Sequence, residues 1–475
     1  MPLRRPPAPP VSRAALGALV LAGLLAGCAG MAPPHQPPAQ PLPAGWKGAA
    51  PAGWVDTAHY QRWQEGRWWD WFEDAELARL MERVDIGNQN LARALANVAQ
   101  AEALLRQAEA QRLPGLDLQL GAQRSGDPAR GSATLGLSAS WAPDLWGRLA
   151  DSVRAQGANV QASRANLAGA RLAAQASLAQ AYFALREADA EAALLAEIIA
   201  GYERAASITG NRYRAGIAAH TDLLQAESTL ESARASRVAL QANRDRYEHA
   251  IALLVGAAPA EFALAPAPWN ARVPELPPLL PSELLLRRPD VAAAERAVAA
   301  ANAQIGVARA AWFPSLNLSA GLGGAAGSLA SLVSAPALTW SLGAALAQTL
   351  LDGGARSAAL DQALANHQAA SASYRQAVLA AMGEVEDQLT SLQALAQQLA
   401  HTRAAAEAAA GAEQRTMNSY QAGVSAYSAV IAAQTTALNA RRSVLQLQLQ
   451  RQQALVALVQ ALGGGWVAPW VHAGD

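Results

Sequence analysis

The chain has 475 residues, enough for two or three ordinary domains, and 37 Lys and Arg balance 37 Asp and Glu. A protein that binds nucleic acid normally carries a basic surplus, and none exists here. Hydrophobic residues make up 52% of the chain, yet the mean hydropathy is only +0.05 because much of that content is alanine; an Ala-rich chain interspersed with Gln, Arg and Glu predicts long helices packed closely side by side.

Arg4, Arg5 and Arg13 open the chain, followed by an apolar run from Ala14 to Ala26. That run has the length of a signal-peptide core and is too short to span a bilayer. Leu25-Ala26-Gly27-Cys28 reads as a bacterial lipobox. Residues 1–27 are then a signal peptide, and Cys28, the one cysteine, becomes a lipidated N-terminus. The plainer alternative is an ordinary cleaved signal with a chance cysteine; the small residues at the cut favour lipidation. Residue 29 is Ala, not Asp, which by resemblance to enterobacterial lipoproteins permits export to the outer membrane. No later segment offers about 20 apolar residues free of charges and breakers. If the mature chain crosses a membrane, it must do so as a closed β-barrel.

Residues 28–53 are rich in Pro, Ala and Gly and predict a tether with no packed structure. Residues 54–73 gather Trp54, Trp63, Trp68, Trp69 and Trp71, an arm whose indoles are expected to anchor it against helices rather than to form a ligand cage. A first repeat follows over 74–256. Leu77, Leu80, Met81, Val84, Leu91, Leu95, Val98 and Leu105 predict one helix from about Asp74 to Arg112, ended by Pro114-Gly115. Leu116, Leu118, Leu120 and Ala122 then alternate with Asp117, Gln119, Gly121 and Gln123, and Leu135, Leu137, Ala139 and Trp141 with Thr134, Gly136, Ser138 and Ser140. This is a hairpin, about 115–143, with strands near the length that crosses a bilayer when tilted. A long helix from about Arg148 carries Leu178, Tyr182, Leu185, Ala192, Leu195 and Ile199 at heptad spacing, a coiled-coil seam. Gly210 and Gly216 are expected to break it, and a helix returns from about Thr221 to Leu254.

After a Pro-rich linker, 257–281, a second repeat over 282–466 has the same plan, with a hairpin at about 315–348; residues 467–475 form a tail. Asn211-Arg212-Tyr213-Arg214-Ala215-Gly216-Ile217 recurs as Asn418-Ser419-Tyr420-Gln421-Ala422-Gly423-Val424 roughly 200 residues later, so one architectural unit is built twice. Four strands cannot close a membrane barrel, since the smallest single-chain outer-membrane barrels have about eight. Either several chains pool their strands or the hairpins are soluble caps on a helical bundle; the agreement of the two copies favours the membrane.

The stretch from Leu284 through Arg287, Arg288, Pro289 and Asp290 to Glu295, then Ala300, Asn302, Gln304, Gly306 and Trp312-Phe313-Pro314, resembles the TolC-like outer membrane factors of tripartite efflux systems, in particular their NodT-type lipoprotein branch. Trp68-Trp69, Asp144-Leu145-Trp146-Gly147-Arg148, Leu351-Asp352-Gly353-Gly354 and the run from Ala461 to Trp466 match the same branch, and the resemblance spans about 46–466. It implies a mainly α fold with membrane β: a homotrimer whose chains give four strands each to a 12-stranded outer-membrane β-barrel, continuous with a 12-helix periplasmic α-barrel. The implied function is a passive exit duct working with a periplasmic adaptor and an inner-membrane transporter of the resistance-nodulation-division (RND) type. The glycine turns Ala215-Gly216-Ile217 and Ala422-Gly423-Val424 would meet the adaptor. Asp222 and Tyr420 match gate positions, and Arg212 and Arg214 are candidate partners of Asp222. Ser425 stands where some relatives carry an arginine, which puts a salt-bridged lock in doubt. The seven histidines are scattered, no nucleophile or phosphate-loop motif occurs, and no cofactor, metal or catalytic residue is expected. Five dispersed methionines give no sign of a soft-metal relay. A duct for secreted protein and a pore-free periplasmic scaffold are the competing readings.

Overall fold

The computed structural model describes residues 30–41, 43, 45–47, 66–126, 130–274, 288–327, 338–466 and 468. The signal segment, Cys28, Trp54 and Trp63 lie outside the described residues. Along the chain run α1 (Ala75–Gly87), α2 (Gln89–Ala110), β1 (Gly115–Ser125), β2 (Arg130–Trp141), α3 (Arg148–Arg214) and α4 (His220–Leu254). The second repeat supplies α5 (Pro289–Ala310), β3 (Ser315–Ala326), β4 (Leu338–Ala347), α6 (Ala355–Gln421) and α7 (Tyr427–Ala461). The residues form two compact units, one of 1–39, 96–164 and 293–376, the other of 40–95, 165–292 and 377–475, so each unit draws on both repeats.

The first unit holds the four-stranded antiparallel sheet, in the order β1-β2-β3-β4. Hairpin register places Leu118 opposite Leu137, and Leu322 opposite Trp340; between the repeats, Leu137 stands opposite Leu322. Every apolar position named from the sequence therefore lands on one face. The expected packing-free tether is overturned here. Met31–His35 lie against α3 and α5, with the Ala32 N–H donating to Asp151 at 3.1 Å and the Pro33 carbonyl accepting from Asn302 at 2.7 Å. Proline lacks a donor but keeps its carbonyl, and here a buried amide side chain uses it.

The second unit is helical. Leu77, Leu80, Met81 and Val84 are fully buried, and Asp74 caps α1 by accepting from the Leu77 N–H at 3.0 Å. Trp68, Trp69, Trp71 and Phe72 form a buried 3-10 turn ahead of it, Phe72 packing on Phe183 at 4.8 Å. Of the five indoles of this arm, the three described ones are buried. The single helix expected over 74–112 is instead two. Asn88 is extended, its side-chain Oδ1 accepts from the Asn90 and Leu91 N–H groups, and its side-chain Nδ2 donates to the Leu254 carbonyl at 2.9 Å. The break lets Gly87 and Gly256 meet backbone to backbone; a Cβ on either would collide with the other chain segment.

α3 and α6 each have 67 residues, about 100 Å of helix. Leu178, Tyr182, Leu185, Leu195 and Ile199 of the predicted seam are buried. Gly210 does not break α3, which continues to Arg214; only Gly216, at φ +72°, ends it. A helical glycine costs about 1 kcal/mol, too little to stop a helix whose neighbours pack on it. Within the unit a charged cluster is buried: Arg244 reaches Asp189 at 2.7 Å and the Leu264 carbonyl at 2.5 Å, and Arg186 reaches Asp189 at 3.0 Å and the Ala265 carbonyl at 2.9 Å. The segment after α4 is thus tied down through its backbone.

Close by on α3, burial and then the neighbouring Glu191 push the Glu187 carboxyl up to about 7, partly opposed by Arg442, which bridges Glu191 at 2.5 Å. The folded group keeps its proton up to about pH 7, while an unfolded one releases it near 4.5. Stability contributed by this site is therefore full below the unfolded value and declines as pH rises through that window. Glu187→Gln should flatten the decline between pH 4.5 and 7 in helix melting followed by circular dichroism. An unchanged pH profile would assign it to another group.

Candidate functional site: the sheet face and the paired helical turns

Two features have no partner among the described residues. The first is one face of the sheet. Leu116, Leu118 and Leu120 of β1, Leu322 of β3, and Leu338, Trp340, Leu342 and Leu346 of β4 are exposed, Trp340 at 80%. Between Leu116 and Ala122, Ala133 and Trp141, Leu316 and Ala326, and Leu338 and Leu346, this face carries only Leu, Ala, Gly and Trp. The opposite face carries Asp117, Gln119, Ser138, Asn317, Ser319, Thr339 and Ser341, interleaved with glycine. There the glycines sit against hydroxyls: a Cβ at Gly121 would lie 2.8 Å from Thr134 Oγ1, and one at Gly343 2.8 Å from Ser319 Oγ. An exposed apolar face backed by a crowded polar one inverts the pattern of a soluble sheet and matches a membrane barrel wall. Both β1 and β4 are sheet edges within the chain.

Aromatic side chains gather at the sheet end where the helices join. Trp146 stacks on Phe313 at 4.9 Å and donates to the Pro314 carbonyl at 2.7 Å, while Trp141 donates to the Arg112 carbonyl at 3.0 Å. Arg356 lies over Trp312 at 4.9 Å and binds Asp352 at 2.6 Å. Amphipathic rings with one wet end suit the membrane–water boundary. The sequence marked these residues only as motifs; their shared location depends on strand pairing. No helix among the described residues is long and apolar enough to cross a membrane.

The second feature is the pair of helical turns. In each, a glycine in the left-handed region ends the long helix, Gly216 at φ +72° and Gly423 at +78°. Ile217 N–H bonds to the Arg212 carbonyl at 2.8 Å and Gly216 N–H to Tyr213 at 2.9 Å; Val424 N–H bonds to Ser419 at 2.9 Å and Gly423 N–H to Tyr420 at 3.0 Å. This is the same Schellman closure made twice. Such turns usually cover the apolar residue after the glycine, yet Ile217 is 68% and Val424 83% exposed. Ala215 and Ala422 are exposed as well.

The two turns touch. Arg212, in the last turn of α3, stacks on the buried Tyr420 ring at 4.8 Å and donates to the Tyr420 and Gln421 carbonyls at 3.1 and 3.3 Å. It thereby caps the C-terminal, partially negative end of α6. Tyr420 also shares a hydrogen bond with Thr209 at 3.3 Å and packs on Tyr427 at 5.1 Å. Thr209 and Tyr427 carried no sequence signal of their own. Asp222 stands apart: among the described residues it forms no ion pair with Arg212 or Arg214, and Arg214 instead binds Asn211. Of the two arrangements open to these residues, within one chain or between chains, the first is not made among the described residues, where the turn directs Arg212 toward α6.

No group of His, Cys, Asp or Glu among the described residues could hold a metal ion. The model of the outer membrane efflux protein family matches residues 80–257 and 280–464. The chain belongs to the outer membrane efflux protein family. Over 467 residues it is 33% identical to the pyoverdine export outer membrane protein OpmQ of Pseudomonas aeruginosa, covering 94% of this chain and 96% of the relative. It is 30% identical to the cation efflux system protein CusC of Escherichia coli K12, covering 93% and 97%. The solved open state of the MtrE outer membrane channel of Neisseria gonorrhoeae superposes with a TM-score of 0.77 at 27% identity, covering 92% of this chain and 98% of MtrE. This efflux protein therefore has the TolC-like channel fold and resides in the outer membrane.

In this family member, Arg212→Ala removes a cation–π contact and a helix-end charge, together about 1 kcal/mol. Amide exchange at residues 418–424 should accelerate about fivefold while sheet amides keep their rates. Unchanged exchange at 418–424 would show that Arg212 does not hold the second turn.

Proposed function

We propose that this outer membrane efflux protein is the exit duct of a tripartite pump, passively conducting small molecules delivered by an inner-membrane RND transporter through a periplasmic adaptor. The observation that carries this reading is the exposed, charge-free sheet face flanked by two unpaired edges. Lipid tolerates no open edge, so β4 of one chain must pair with β1 of the next. Strand directions alternate through the order β1-β2-β3-β4, so that junction is antiparallel like the others. Repeating it is a head-to-tail contact that closes into a ring. Three chains give about twelve strands, above the minimum of about eight; the number three comes from resemblance to trimeric TolC-like channels. The small polar side chains then line the lumen.

The exposed turns Ala215-Gly216-Ile217 and Ala422-Gly423-Val424 are where the adaptor would dock. Ile217 and Val424 offer it apolar contacts that the chain leaves uncovered. Tyr420 and Arg212 would hold the two turns together in the closed state, with Asp222 and Arg214 free to pair between chains. Cys28 would carry the lipid anchor. OpmQ is named for pyoverdine export and CusC for cation efflux, so cargo varies within the family; a lining of serine and glycine fits a duct whose transporter does the selecting. Type I protein secretion is the second reading, and the lipobox together with the Arg287-Arg288-Pro289-Asp290 stretch favours the first.

Purified protein should run as a detergent-dependent trimer and conduct in planar bilayers. A water-soluble single chain without channel activity would end the proposal. Asp222→Ala and Tyr420→Phe should each raise single-channel conductance; a variant that conducts like the parent removes that residue from the gate.

A further inference from the structure

Asp151, in the first turn of α3, is an unusual place for a carboxylate: its side chain is 0% exposed. Burial pushes its pKa up, and the group is held by a small set of donors. Arg154 binds one oxygen at 2.5 Å and the Ala32 N–H binds the other at 3.1 Å, with the Met31 N–H as a further donor. Glycines sit on both sides. A Cβ at Gly30 would strike the carboxylate and Arg154, and a Cβ at Gly306 of α5 would strike the carboxylate and the Ala32 nitrogen. The contacts continue along α5 in order: Arg309 donates to the Met31 carbonyl at 3.4 Å, Asn302 to the Pro33 carbonyl at 2.7 Å, and His35 meets Glu295 at 2.6 Å. The segment thus runs antiparallel to α5, with its early end toward the aromatic margin formed by Trp312 and Phe313.

The segment both covers the Asp151 carboxylate and supplies two of its donors, so the burial and the hydrogen bonds that offset it arrive together. The carboxylate, the flanking glycines and Asn302 together form a built receptor for two backbone amides and a proline carbonyl. We propose that Asp151, Gly306 and Asn302 are the seat of a strap, Gly30–His35, that fixes where the lipidated end of the chain enters the membrane. The anchoring part rests on the lipidation of Cys28 proposed above. Met31 lies three residue steps after Cys28, a reach of at most about 11 Å, so the acyl chains are confined to the lipid next to the aromatic margin of the same chain.

Hydrogen exchange on the full-length, detergent-solubilised protein tests the seat, because Met31 and Ala32 are the donors and Pro33 and Pro34 have no amide. Asp151→Ala should speed exchange at Met31 and Ala32 at least tenfold and leave the sheet amides unchanged. Cys28→Ser should leave both amides as protected as in the parent. Equal exchange in Asp151→Ala and parent, or release of the strap by Cys28→Ser alone, overturns the proposal. If Asp151→Ala does not assemble, Ala32→Pro deletes one donor without touching a helix, and the Met31 amide reports: faster exchange supports the seat, and unchanged exchange refutes it. The mass of the N-terminal peptide is read separately. An unmodified Cys28 would remove the lipid anchor while leaving the seat standing.

Discussion

A sheet edge must have its hydrogen bonds satisfied, and that demand governs this molecule. β1 and β4 are edges within the chain, and the apolar face between them is fit only for lipid, where no water can complete the bonding. The single chain is therefore an incomplete object. Its sheet face and its uncovered turn residues make sense only in an assembly. By contrast, several contacts that build one chain's share are made internally. α1 is capped, the Asn88 break is bridged to α4, and the Asp189 cluster ties the segment after α4 to the helices.

The duplication is not an exact copy, and the difference is informative. Arg212 in the first turn motif corresponds to Ser419 in the second. Only the first copy has a cation able to reach across, and it reaches the end of the second copy's long helix. The repeats have thus diverged into a pair in which one half supplies the cap and the other receives it. A contact of this kind, worth about 1 kcal/mol, holds two turns together while leaving them separable.

Much of this was legible from residue order. Alternation gave the strands because each faces two environments, and the motif repeat gave the turns because a left-handed helix end needs glycine. The misreadings share a cause. Gly210 looked like a break and is not, while Asn88 is a break inside a stripe that looked continuous; in both cases tertiary contacts outweigh local propensity. Gly87 meets Gly256, about 170 residues away, and nothing local announces that encounter. The 28–53 stretch read as a free tether because prolines do not form regular structure. The seating of Met31–His35 within it depends on Asp151 and Asn302, whose role emerges only when α3 and α5 are adjacent. Asp222 forms no ion pair with Arg212 or Arg214 among the described residues, which leaves pairing between chains as the arrangement open to it.

The paired elements match in length: 22 residues in α2 and α5, 67 in α3 and α6, 35 in α4 and α7. If the four long rods share one seam, an insertion in a single rod would shift its knobs out of their holes and leave its end turn out of step with the other. Growth or shortening of the bundle must then proceed in all four at once and in whole heptads. Drift in size is left to the hairpin loops and the two chain ends.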